Sequence, residues 1–314
     1  MNITITGNLG SGKTSVCREL EKSGFTIISA GDIFRQIASE KGMTVIELNE
    51  AAKKDRSIDD LLDSRSTELG RKMDHTVFDS RLAWNFVENS FKVFLLVDTQ
   101  EAARRVFDGD SRSAEEYRNV QEAGAGLESR ARLEQERFRK LYGIDYYDAG
   151  NYDLIIESSC ATPQQIAEEI IRNFNIYKKQ PFSTKIELNL KCLYPAESAE
   201  ASEKELSAGR SAEEEKQTLC AGRPLSVVIK NGYNYLASDI DYAAASIAAG
   251  RIFAEIKEIQ TDEAAQSAIH LPAERVIQQF EQAGGFQYQT SPAKGSAKPG
   301  YAVDFSKVSG KLTS

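Results

Sequence analysis

Hydrophobic and polar positions switch between two periods along the first 175 or so residues. Short stretches at 3–6, 25–29, 76–79, 92–98 and 152–157 alternate or run apolar and are bounded by turn residues. That pattern predicts strands. Helical spacing fills the gaps: from 13 to a stop at Gly24, about 32–40, a pair within 44–72, one from near Gln100, and a long charged stretch of about 113–141. A last helix is expected after Pro163, since proline suits a helix's first turn. Strands alternating with helices in this way predict an α/β fold, a parallel sheet with flanking helices.

The pattern changes near Lys178. Residues 195–217 are rich in Glu, Ser, Ala and Lys and hold no aromatic residue, so they bury too little to fold alone. Two strands, 224–230 and 233–237, are expected around an Asn231-Gly232 turn, a strong hairpin signal. A helix of small residues (241–250), a strand (253–259) and a helix (about 272–282) should follow. The reading is therefore a domain over 1–177, a linker with an acidic segment over 178–220, a smaller α+β module over 221–285, and a disordered tail over 286–314.

Composition narrows the function classes. The 314 residues carry a formal net charge of -8, with 41% hydrophobic and 27% charged residues. A chain of that charge gains nothing from general attraction to phosphate backbones, so nucleic acid is not expected as a partner. No basic-then-apolar leader follows Met1, and no apolar run is long enough to span a bilayer, so a cytoplasmic protein is expected. Cys17, Cys160, Cys192 and Cys220 show no metal-binding spacing and are read as free thiols. Two histidines, His75 and His270, argue against an imidazole-built zinc site.

The chemistry starts at Gly7-Asn8-Leu9-Gly10-Ser11-Gly12-Lys13-Thr14, which fits the phosphate-loop pattern at every fixed position. It lies between a strand and a helix, as the pattern requires. Glycines at Gly7, Gly10 and Gly12 let backbone N–H groups converge on phosphates, and the helix N-terminus favours anions. Ser11 and Ser15 complete the expected ATP contacts. Lys13 is expected on the β- and γ-phosphates, and the Thr14 hydroxyl in the shell of a Mg²⁺ ion. The loop alone says nucleotide, not reaction. No NKxD base-reading motif supports a GTPase. Neither Asp79 nor Asp98 is followed by Glu, as a mechanical ATPase usually has.

Phosphoryl transfer to a second phosphate needs further cations, and arginine grips phosphate two oxygens at a time. They occur in Ser29-Ala30-Gly31-Asp32-Ile33-Phe34-Arg35, in Asp79-Ser80-Arg81, and between Arg130 and Arg139. With "SIDDLLDSR", "RFRKLYGID" and "NYDLIIESS", these stretches resemble cytidylate kinases, especially the short archaeal-type branch of the nucleoside monophosphate kinases. The likeness covers about residues 1–175. It implies ATP- and Mg²⁺-dependent transfer to a nucleoside monophosphate, with CMP or dCMP foremost. It also implies acceptor contacts from Ser29, Arg35, Asp79 and Arg81. Arg130 would act on phosphate, and Glu134 and Arg137 on the cytosine edge. Lys13, Arg81 and Arg130 would be the catalytic cations.

One departure stands out. Where the family carries a further lid arginine, this chain reads Arg104-Arg105-Val106-Phe107-Asp108-Gly109-Asp110, leaving Arg112 or Arg118 to substitute. Trp84 is expected to serve packing. Residues 221–259 resemble ParB-like modules in their strand pair and alanine-rich helix. Their turn, Ala237-Ser238-Asp239-Ile240-Asp241, has neither the His nor the Arg of that family, so a protein partner is expected there instead. The rival readings are a non-catalytic nucleotide sensor, and a kinase whose acceptor is not a nucleotide.

Overall fold

The computed structural model describes residues 1–109, 117–159, 161–190, 193–195, 224–230, 233–236 and 251–259. Among the described residues ten strands form one sheet in the order β2-β3-β1-β4-β5-β6-β10-β8-β9-β7. They are β1 (Asn2–Gly7), β2 (Thr26–Ser29), β3 (Thr76–Asp79), β4 (Ser90–Leu96), β5 (Leu154–Glu157), β6 (Lys185–Asn189), β7 (Leu193–Pro195), β8 (Leu225–Lys230), β9 (Tyr233–Leu236) and β10 (Phe253–Ile259). From β2 to β6 every pairing is parallel. β10 then pairs antiparallel to β6 and parallel to β8. β8 and β9 form the antiparallel pair that the Asn231-Gly232 signal predicts, with Lys230 opposite Tyr233. The sheet is thus mixed and mostly parallel, in an α/β fold.

The helices are α1 (Lys13–Lys22), α2 (Ala30–Glu40), α3 (Val45–Ala52), α4 (Ser57–Lys72), α5 (Ala83–Phe86), α6 (Thr99–Asp108), α7 (Val120–Tyr142) and α8 (Pro163–Lys179). Their starts follow local chemistry. Ser29, Thr44 and Thr162 cap α2, α3 and α8 through capping boxes, each joining two otherwise unpaired backbone N–H groups to side chains. The long charged helix begins later than the expected 113. Asn119 accepts from the Glu122 N–H at 2.8 Å and so sets the start of α7 at Val120. Gly143, at φ +69°, ends it.

Each face of the sheet is covered. Ile3, Ile5, Val93 and Ile156 pack under α1 and α8 through Leu20, Ile170 and Phe174. Phe94, Ile155, Leu188 and Leu225 face an aromatic layer of Trp84, Tyr146, Tyr147 and Tyr152. Leu225 and Ala254 share that second cluster, so the strands beyond residue 220 contribute to the same core. Helices α2, α3 and α4 carry a small core of their own around Ile33, Ile37, Leu48 and Ile58. The phosphate loop lies at the C-terminal end of β1, where the chain order diverges to β3 on one side and β4 on the other. Open parallel sheets bind ligands at such a crevice.

Cys160, Cys192, Cys220, His270, Arg112, the 237–241 turn, the acidic segment, the helices expected at 241–250 and 272–282, and the tail of 286–314 lie outside the described residues. Cys17 is a free, buried thiol. Among the described residues no helix is long and apolar enough to cross a membrane.

Candidate nucleotide site

The loop between β1 and α1 is held open by backbone geometry. Gly10 and Gly12 sit at φ +79° and +82°, where a side chain would be strained. A Cβ on Gly10 would also fall 2.8 Å from Ala102 Cβ. Asn8 fastens the loop to the end of β4: its Nδ2 donates to the Val97 carbonyl at 2.8 Å, and its Oδ1 accepts from the Val97 N–H at 2.9 Å. Gly12 caps α1 without any side-chain bond, and the first turn holds no acidic residue. The N–H groups and positive end of α1 therefore remain available to an anion.

Lys13 is half-buried and stands at the centre of a charged cluster. Burial pushes its ammonium down to about 7, Arg81 adds to that, and Asp79, Glu134 and Cys17 oppose it. Asp79 ends β3 and is raised from the ordinary carboxylate range by burial, against the pull of Lys13 and Arg81. Arg81 donates from Nε to Glu134 Oε2 at 3.1 Å, with only 20% and 23% of the two side chains exposed. The other oxygen of Glu134 takes Arg130 Nε at 3.3 Å. Glu134 thus bridges two of the arginines singled out from sequence. The Arg81 carbonyl accepts from Thr6 Oγ1 at 3.3 Å and from Trp84 Nε1 at 3.1 Å. Trp84 is buried, edge-on to Tyr152, so it packs and also fixes the backbone that carries Arg81.

Ser29 and Asp79 are register partners at the ends of β2 and β3, which brings the Ser29–Arg35 stretch to the same edge. Ser29 Oγ and Asp32 Oδ2 lie 2.6 Å apart, and Arg35 Nη2 reaches Asp32 Oδ1 at 2.5 Å. The hydrogen bonds from Ser29, foremost, hold the Asp32 carboxyl below its usual range. Arg137 does not join Arg81 and Glu134 in this network. Its Nη2 bonds both oxygens of Asp59, at 2.9 and 2.8 Å, and so ties α7 to α4. Thr14 and Ser15 are exposed at the start of α1, and Ser11 is buried behind them.

Two residues hold contacts at this site that the sequence does not announce. Arg105 lies against the phosphate loop, with Nη1 3.7 Å from where a Cβ on Gly12 would stand. Its Nε is held by Glu101 at 2.8 Å, and its Nη2 by the carbonyls of Ser158 and Ser159 at 2.6 and 3.0 Å. Only the i,i+4 spacing to Glu101 is visible in the chain. Asn8 occupies a variable position of the motif, so its anchoring role shows only in three dimensions. A cleft of about 550 Å³ opens beside them, bounded by Asn8 and Leu9 of the loop, Gln100 of α6, Gly124 of α7 and Tyr147.

Among the described residues no group of three or more His, Cys, Asp or Glu could cage a metal. Mg²⁺ carried on phosphates needs only one or two protein oxygens. The exposed Thr14 hydroxyl and the Asp79 carboxylate beside Lys13 fit that smaller demand.

Comparison with known proteins agrees with this architecture. Residues 2–160 match the cytidylate kinase-like family. A cytidylate kinase of Methanocella arvoryzae is 37% identical over 180 residues, 57% of this chain and 99% of that protein. One of Archaeoglobus fulgidus is 36% identical over 180 residues, 57% of this chain and 97% of the relative. An S-adenosylmethionine-dependent nucleotide dehydratase of Lacinutrix mariniflava is 31% identical over 174 residues, 55% of this chain but 35% of that longer protein. The match over half the chain, with the loop, the Asp79–Arg81 turn and the arginines of α7 all inside it, places this chain in the cytidylate kinase-like family.

Proposed function

We propose that the chain transfers the γ-phosphoryl group of ATP to a nucleoside monophosphate, with CMP or dCMP as the preferred acceptor. The observation that supports this most is the meeting of Lys13, Asp79, Arg81 and Glu134 at the C-terminal ends of β1 and β3. Two phosphates brought together there would face Lys13 and the positive end of α1 from one side, and Arg81 and Arg130 from the other. An acceptor phosphate oxygen attacks the γ-phosphorus in line, its bond forms as the bond to the β-phosphate oxygen breaks, and ADP leaves. Positioning and charge neutralisation supply the rate. Thr14 would help hold a magnesium ion, which would supply charge neutralisation on the phosphates. Glu134 keeps a lone pair on each oxygen beyond its arginine bonds, so it can still accept from the amino group of cytosine. Ser29 and Arg35 would meet the acceptor by exchanging their bonds to Asp32.

The test is ADP formation from Mg-ATP with CMP, dCMP, UMP, AMP and GMP offered separately, with Lys13→Ala as the blank. Turnover with CMP or dCMP above the others supports the reading. Tight ATP binding with no turnover would favour a nucleotide sensor. That second reading draws on the acidic Asp108 at the end of α6, where a lid arginine is expected, and on the strands beyond residue 220 that join the sheet.

A further inference from the structure

Helix α4, with its N-cap Arg56, reaches α7 at three points among the described residues, the middle one at Arg137, three residues beyond Glu134. Arg56 donates to the Leu141 carbonyl at 3.1 Å, Asp59 takes Arg137, and Asp63 takes the Tyr142 hydroxyl at 2.9 Å. The middle contact differs from the other two. Arg137 is about half exposed, whereas Asp59 is only 16% exposed. A single nitrogen, Nη2, spans both carboxylate oxygens. Its Nε and Nη1 have no partner among the described residues. The guanidinium is therefore held by one corner and offers its other donors outward.

This matters because an unpaired arginine near a phosphate site tends to pair with phosphate. Lys13, Arg81 and Arg130 already stand there for that purpose. A carboxylate on Arg137 cancels its charge toward the phosphates and fixes the side chain, whose rotamer freedom would otherwise be lost on binding. We propose that Asp59 is a positioning residue that holds Arg137 away from the phosphates and oriented as a neutralised hydrogen-bond donor to the acceptor base. It rests on the reading of the chain as a pyrimidine monophosphate kinase, and adds α4 to the parts that choose the base. Donors held in place reject a base that lacks the matching acceptors, because a held donor left unpaired is costly.

The experiment uses the full chain with saturating Mg-ATP, varying CMP or UMP. Asp59→Asn should raise the KM for CMP about tenfold, leave the KM for ATP unchanged, and lower the CMP-over-UMP ratio of kcat/KM. Asp59→Glu should recover part of that loss. In a double-mutant cycle, Asp59→Asn added to Arg137→Ala should cost nothing further, since the two act as one unit. Tyr142→Phe weakens the same helix pair without touching Arg137 and should leave the KM for CMP within about twofold. An active wild type whose CMP and UMP constants are unmoved by Asp59→Asn overturns the role of Asp59 alone. Equal losses from Tyr142→Phe, or additive losses in the cycle, also overturn it, as they would reflect helix packing. A wild type that neither turns over nor binds CMP, measured by calorimetry, overturns the kinase reading and this inference with it.

Discussion

The charge state of Lys13 should couple nucleotide binding to protons. In the ligand-free protein burial and Arg81 bring its ammonium down to about 7. At pH 8 such a group is about nine-tenths neutral, and at pH 6 about nine-tenths charged. A bound triphosphate favours the charged form and returns the pKa toward its ordinary value near 10.5. Binding should then take up about 0.9 proton at pH 8 and about 0.1 at pH 6. The same linkage weakens apparent affinity about tenfold, or ~1.4 kcal/mol, at pH 8 relative to pH 6. Solvent still reaches this half-buried side chain, so those figures are upper bounds. Calorimetry of a non-hydrolysable Mg-ATP analogue in buffers of different ionisation enthalpy reads the uptake directly. Lys13→Arg, which stays charged throughout, should abolish it. No uptake at pH 8 in the wild type, or the same uptake in Lys13→Arg, refutes the reasoning.

Other perturbations follow from the geometry. Gly10→Ala places a methyl group against Ala102 at a left-handed φ, and urea melts should show a loss of about 1–3 kcal/mol together with weaker ATP binding. Arg81→Ala should raise the KM for the nucleotide acceptor far more than that for ATP in steady-state kinetics. It should also release Glu134 Oε2 while Arg130 keeps Oε1, and equal losses for both substrates would argue against placing Arg81 on the acceptor side. Burial pushes the Asp63 carboxyl up to about 6, from 3.8. Between those values the folded chain holds a proton that the unfolded chain has released. The group therefore favours folding below pH 3.8, and that contribution is lost as pH rises through about 6. Asp63→Asn keeps an acceptor for Tyr142 and cannot ionise. It should gain about 1–2 kcal/mol on the wild type between pH 4 and pH 8, measured by urea melts at both pH values.

The first half of the fold was legible because its signals are local. Alternation marks β1 to β5, Ser29-x-x-Asp32 and Thr162-x-x-Gln165 announce helix starts, and the glycines of the phosphate loop need only their neighbours. The stretch containing β6 falls where composition predicts a linker, although it alternates Lys185, Ile186, Glu187, Leu188, Asn189. Such alternation suggests one wet face, yet Glu187 and Asn189 are buried there, and Glu187 bonds Asn173 and Arg172 of α8. A strand with polar residues on a buried face reveals itself only once its covering helix is known. Arg105 was obscure for a related reason, because carbonyls some 50 residues away hold it beside the loop. Asp59 lies in a stretch that resembles the family, but its partner is 78 residues distant in sequence.

The junction between β6 and β10 bears on how the chain can be shortened. β10 satisfies the free edge of β6, with Phe253 opposite Asn189 and Ile256 opposite Ile186. A protein cut after residue 190 to keep only the part its cytidylate kinase relatives share would bare that edge. Unpaired N–H and C=O groups beside Ile186 and Leu188 recruit strands from neighbouring molecules. Shortened preparations should therefore self-associate and precipitate in proportion to their concentration, and a proline or lysine placed on β6 should restore solubility.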